Sequence, residues 1–99
     1  MFNLSAEITV DQGYFAHNVR KAVYFALIEK FSLVKMDVGQ VVKMSSVIGL
    51  MHTIQGVVSV KLNHLYDSEK NAGLSDINPE GNEIYQINPN AVILKVKVS

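Results

Sequence analysis

FNLSAEITV, residues Phe2–Val10, alternates without a break. Phe2, Leu4, Ala6, Ile8 and Val10 fall on one side, and Asn3, Ser5, Glu7 and Thr9 on the other. Successive side chains of a pleated strand point to opposite faces, so this stretch predicts a strand with one buried and one wet face. Two later segments have the same character. Val58, Val60, Leu62, His64 and Tyr66 alternate with Ser59, Lys61 and Asn63, leaving Val57 and Leu65 as exceptions. From Ala91 to Ser99, Val92, Leu94, Val96 and Val98 alternate with Ile93, Lys95 and Lys97. Strands with one apolar face build a sheet covered on one side, which favours antiparallel or mixed pairing over a parallel sheet buried on both faces.

The cover comes from two segments with helical period. Between Tyr14 and Phe31, Phe15, Val19, Ala22, Val23, Ala26 and Leu27 form a stripe joined by Phe31, while Asn18, Arg20, Lys21 and Glu29 lie mostly off it. Asp11, in the Asp11-Gln12-Gly13 break before this helix, is a candidate cap. A second, shorter helix follows Ser45 or Ser46 as N-cap, with Val47, Ile48, Leu50, Met51 and Ile54 as its buried positions. Gly49 inside it costs about 1 kcal/mol against Ala and points to close packing there. Gly56 stands after the last periodic residue, where a left-handed residue ends a helix and the period then switches to two. Gln40–Met44 reads as a short strand or an extended lead-in.

The segment from Asp67 to Asn90, DSEKNAGLSDINPEGNEIYQINPN, is polar and holds both prolines. A loop of that length inside a compact domain is either functional or disordered. The expected architecture is one α+β domain over residues 1–99: a two-layer sandwich with a mainly antiparallel or mixed sheet of three to four strands and two helices on one face.

Composition narrows the function classes. A hydrophobic content of 48% excludes wholesale disorder. Nine basic and nine acidic side chains give a formal net charge of zero, with no basic stripe of the kind nucleic acid requires. Low net charge also leaves little colloidal repulsion, which suits a chain that associates. No cysteine is present, so disulfide and thiolate chemistry are excluded. The amino-terminal residues do not form a signal peptide, and no apolar run is long enough to span a bilayer. Together these features predict a soluble intracellular domain that binds neither nucleic acid nor membrane.

No catalytic or metal-binding pattern stands out. His17, His52 and His64 fall on three different elements, without the i, i+4 spacing of a helical metal site. Asp76-Ile77-Asn78-Pro79-Glu80-Gly81 resembles the start of an EF-hand loop. It has a proline at the fourth position, however, and Ile87 stands where the bidentate Glu belongs. Ser45-Ser46 lacks a nucleophile elbow, and no glycine-rich phosphate loop exists. No catalytic residue, cofactor or metal is expected. The more informative feature is an apolar surplus beyond what one sheet face needs: Tyr14, Tyr24, Phe25, Ile28, Leu33, Val34 and Met36. These residues read either as ordinary core or, because aromatic residues and methionine are enriched at protein interfaces, as the candidate interaction surface.

A family pattern runs through the same landmarks. Ala26-Leu27, Phe31-Ser32, Val38-Gly39-Gln40-Val41-Val42, Ser45-Ser46-Val47-Ile48 and Ile54-Gln55-Gly56-Val57-Val58-Ser59-Val60-Lys61-Leu62 occur in that order. Asn82-Glu83-Ile84-Tyr85-Gln86-Ile87 and Val92-Ile93-Leu94-Lys95-Val96 then close the chain. The series resembles the C-terminal domain of Baseplate J-like proteins, wedge components of contractile phage tails and related injection systems. Members of that family carry a large N-terminal part before this domain. The resemblance extends from about Leu4 to Val98, and its residues are structural: Ser45 as a cap, Gly56 as a stop, then alternating valines. It implies a non-catalytic structural protein without cofactor, located in the virion tail baseplate and, before assembly, in the bacterial host cytoplasm. Its implied partners are other baseplate or tail proteins and copies of itself. Two readings from other classes stand beside it. One is a small ligand-sensing or regulatory domain whose 67–90 loop gates a pocket between sheet and helices. The other is a small enzyme using His64 and loop carboxylates.

Overall fold

In the computed structural model, which describes residues 1–99, the elements run β1 (Phe2–Val10), α1 (Ala16–Lys30), α2 (Met44–His52), β2 (Val57–Asp67) and β3 (Ile87–Val98). The sheet has three strands in the order β2-β1-β3, with β1 antiparallel to β2 and parallel to β3. The chain path explains the mixture. β2 returns the chain to the end of the sheet where β1 starts. The segment after Asp67 crosses that end to the far side of β1, so β3 must run in the same direction as β1. The fold is therefore α+β with a mixed sheet, as the one-sided strands predict.

β1 is the axis of the core. Phe2, Leu4, Ala6, Ile8 and Val10 are buried, while the alternate residues are only half-covered. α1 lies over β3 and α2 over β2, so the two helices share the apolar face of the sheet. Each fully buried Leu, Ile or Phe side chain there stabilises the fold by roughly 1.5–3 kcal/mol. Phe2 meets Phe31 edge to face, with ring centroids 5.7 Å apart, which ties the start of the sheet to the end of α1.

Two bulges in β2 account for its broken alternation. The partner of β1 jumps from His64 to Leu62 between Ser5 and Ala6, and from Ser59 to Val57 between Thr9 and Val10. Asn63 and Val58 are the extra residues, and each bulge inverts the facing of the strand beyond it. Val60 and Leu62 therefore face the core, His64 and Tyr66 face outward, and the two sequence exceptions, Val57 and Leu65, turn inward. Leu65 is completely buried. β3 behaves as expected from Val92 onward but begins earlier, at Ile87. Between Phe2 and Leu4 its register jumps from Ile87 to Val92, so residues 88–91 loop out of the pairing.

Several local expectations are corrected. On α1 only Val19, Val23 and Leu27 are buried; Ala22 is exposed, and Phe15, the N-cap residue, is 80% exposed because it precedes the first helical turn. Asp11 does not cap that helix. Its carboxylate accepts the Gly13 N–H at 2.8 Å and shapes the turn. Ser45 lies inside α2 and is not its cap: the N-cap is Lys43, which makes no side-chain capping bond. The Met44 N–H donates instead to Asp76 Oδ1 at 2.7 Å, so a loop residue distant in sequence does the capping. Gly49 is exposed, with nothing near where a Cβ would sit, so it marks no close packing. Gly56 has φ +95°, as a left-handed residue should. It is not the C′ residue of α2, however, because the C-cap is Thr53. The Val57 N–H donates to Ile54 O at 3.2 Å, which makes Gly56 the third residue of a turn into β2.

The 67–90 segment is laced to the body. Ile77 and Val42 exchange two backbone hydrogen bonds at 2.9 Å, Gly39 N–H donates to Glu83 O, and Leu65 N–H donates to Gly73 O. The 40–44 stretch is thus an extended lead-in with a single bridge at Val42 and no pairing to the main sheet. Ile77 and Tyr85 from the loop are buried in the core.

Candidate functional site

α1 and the turns flanking it hold most of the apolar candidates, but they do not form one patch. Met36 is 5% exposed and belongs to the core, so its place in the interaction surface is corrected. The connection after α1 curls back far enough to bury it, with Met36 N–H bonded to Ser32 O. Tyr24 and Ile28 are half-buried against the core. Tyr14, Phe25 and Leu33 are exposed, at the start, the outer side and the far end of α1 respectively. Val34, beside Leu33, is 91% exposed. Sequence reasoning missed Phe15. Its spacing to Val19, Val23 and Leu27 is the signature of a buried stripe, and only the start of the helix at Ala16 excludes it.

Tyr14, Phe15, Tyr24 and Phe25 border two grooves. One, of about 480 Å³, opens between the start of α1 and the end of α2, with Tyr14, Phe15, Asn18 and Ile54 among its walls. The other, of about 420 Å³, lies between α1 and β3. His17, Arg20, Lys21, Tyr24 and Phe25 form its helical wall, and Val92 and Leu94 its floor. The Tyr24 and Phe25 rings meet edge to face at 5.5 Å. The Tyr24 hydroxyl donates to Pro89 O at 2.9 Å, fixing the aromatic wall to the looped-out start of β3. No acidic side chain lines this groove, and neither Arg20 nor Lys21 forms an ion pair.

Charge is organised in two other places. On the uncovered sheet face Glu7 accepts a hydrogen bond from Asn63 at 3.0 Å and lies 4.0 Å from Lys61. The Asn63 contact, helped by Lys61, Lys95 and Lys97, holds the Glu7 carboxyl below its ordinary value. At the end of β2 the Tyr85 hydroxyl donates to Asp67 Oδ2 at 2.6 Å. This bond, aided by the Glu69 N–H, holds the Asp67 carboxyl below its ordinary value, and the carboxylate in turn pushes the Tyr85 hydroxyl well above the usual phenol range.

The three histidines stay apart on α1, α2 and β2, and no group of three His, Cys, Asp or Glu side chains converges. Asp76, in the segment similar to an EF-hand start, spends its carboxylate on the cap of α2. Ile77 and Tyr85 of the 67–90 loop pack into the core, and the loop itself lines a cavity of about 280 Å³ between Asp67, Lys70, Asn71, Asp76 and Tyr85. No helix is long and apolar enough to cross a membrane. The surface offers exposed aromatic and aliphatic side chains around α1 and a cationic, aromatic-walled groove. No protein-family model matches the chain, and no curated protein matches it either.

Proposed function

We propose that this chain is a non-catalytic protein–protein interaction module of a phage or phage-like contractile tail baseplate, similar to the C-terminal domain of Baseplate J-like proteins. The observation that carries the reading is the Gln55–Leu62 step. Gly56, at positive φ, turns the chain into a strand in which Val57 and Val60 face the core on either side of a bulge at Val58. This is the segment on which the resemblance is most specific, and its residues are used for architecture. The exposed Tyr14, Phe15, Phe25, Leu33 and Val34 supply apolar surface of the kind a partner covers. Its partners are neighbouring baseplate or tail proteins and copies of itself, and its place is the baseplate, reached from the host cytoplasm.

Co-expression with the tail proteins encoded beside it tests this. The expected result is a stoichiometric complex by light scattering, with the chain located at the baseplate by labelled electron microscopy. A chain that joins no tail protein, and that retains a metabolite in native mass spectrometry, would overturn the reading in favour of ligand sensing.

A further inference from the structure

We propose that the α1/β3 groove is the socket of a head-to-tail contact between copies of this chain, and that it receives the acidic Glu80–Ile84 turn of a second copy. The inference rests on the protein-interaction reading but not on the tail assignment. Its basis is a separation of charge that the zero net charge conceals. Asp67, Glu69, Asp76, Glu80 and Glu83 lie in one segment with Lys70 as its single cation. That segment crosses the end of the sheet where β1 begins. The groove has the opposite character: Arg20, Lys21 and His17 over an apolar floor, with no carboxylate among them.

The shapes also correspond. Glu80 and Glu83 sit on a tight turn. The Glu83 N–H donates to Glu80 O, the Glu80 N–H donates to Glu83 Oε1 at 2.7 Å, and Gly81 takes φ +60°. Both carboxylates are exposed, and the next residue, Ile84, is an exposed aliphatic side chain. A hydrogen-bonded turn with two carboxylates and one aliphatic side chain suits a groove with two unpaired cations, two aromatic rings and a floor of Val92 and Leu94. Ile84 would rest on the floor and the carboxylates would meet Arg20 and Lys21. Socket and turn are different surfaces of one molecule, so the contact is heterologous, and copies join into a ring or a running filament. A contact this small is weak and salt-dependent, since screening shortens the reach of charge from about 10 Å at 0.1 M salt to about 3 Å at 1 M.

The test uses sedimentation of the purified chain at rising concentration. Concentration-dependent association is expected at low salt, weakened at least about tenfold at 1 M salt. The Arg20→Glu/Lys21→Glu variant and the Glu80→Lys variant should each lose self-association while keeping the wild-type melting temperature. Mixing the two should restore association, because one supplies an intact turn and the other an intact socket. Lys61→Glu, on the uncovered sheet face, should associate like the wild type. A wild type that stays monomeric at low salt, or association that survives both variants, would overturn the proposal. Tail-protein binding that persists in those circumstances leaves the functional reading intact, and loss of tail-protein binding with self-association preserved sinks that reading alone.

Discussion

Gly56 carries two constraints at once. Its φ of +95° lies where a Cβ is strained, and a Cβ built there would stand 2.9 Å from both Tyr14 Cγ and Val19 Cγ2. The ring and the branched side chain that press on it belong to the start of α1, so the turn and the helix are fitted to each other through a missing side chain. Gly56→Val is expected to destabilise by at least about 1 kcal/mol from the backbone alone, and by about 1–3 kcal/mol more from the overlap. Urea titration measures it, and an unchanged midpoint would refute the account. Gly49 is the opposite case: helical, exposed and unopposed, so Gly49→Ala should stabilise by about 0.5–1 kcal/mol. The sequence marks both glycines as departures from the local pattern, and it reads the positive φ of Gly56 correctly. It does not distinguish the two reasons for a glycine. The neighbour that excludes a Cβ at position 56 comes from residues 14 and 19, and at position 49 no such neighbour exists.

α2 shows how an element can be read correctly and its cap misassigned. Ser45-Ser46 before an apolar run is a sound local signal for a helix start, yet the helix begins at Met44 and its first donor is met by Asp76. Asp76→Ala should therefore cost about 1 kcal/mol in thermal or urea unfolding, while Ser45→Ala changes stability little. The reverse ranking would return the cap to Ser45. β2 offers a parallel case. Its two bulges are unreadable from alternation alone, but Val57 and Leu65, the residues that break the pattern, are those the bulges turn inward. The Asp67–Tyr85 bond belongs at this scale too, because it ties the end of β2 to the incoming strand β3. Asp67 is lowered, so its contribution is present above the unfolded carboxylate value near 4 and is lost as pH falls through the folded value. Tyr85 is raised, so its contribution is present below the ordinary phenol value near 10 and is lost as pH rises through the folded one. Tyr85→Phe should cost about 1 kcal/mol between those limits, with the difference from wild type shrinking toward either extreme. A difference independent of pH would show that the ionisations of Asp67 and Tyr85 are not coupled to folding through this bond.

Across the whole molecule, the least legible feature is the joining of the two chain ends. Each strand declares its own apolar face, but nothing in Ala91–Ser99 says that it runs beside Phe2–Val10 rather than beside β2. That choice is made by the crossing between Asp67 and Gln86, whose anchors are backbone hydrogen bonds to Val42, Leu65 and Gly39 that leave little trace in side-chain pattern. The interaction surface is half-legible for a similar reason. Exposed aromatics on α1 follow from the surplus of apolar residues, whereas the burial of Met36 and the exposure of Phe15 depend on where chain segments fold back. The topology has a kinetic and a dynamic consequence. The pairs Leu4–Val92 through Val10–Val98 form only after nearly the whole chain is arranged, so loop-closure entropy must be met before the central strand gains its second neighbour. Folding is expected in milliseconds to seconds rather than microseconds. Conservative substitutions at Val92 and Leu94 should mainly accelerate unfolding if β3 docks last, because contacts absent from the transition state affect only that limb. In native-state hydrogen exchange the β1 amides, bonded on both sides at the centre of the sheet, should be the slowest to exchange. The amides of residues 68–86, held by a few bridges, should open at lower free energy without unfolding the core. If those loop amides instead exchanged together with β1, the crossing would be part of the same cooperative unit as the sheet, and β3 could not be the last element to dock.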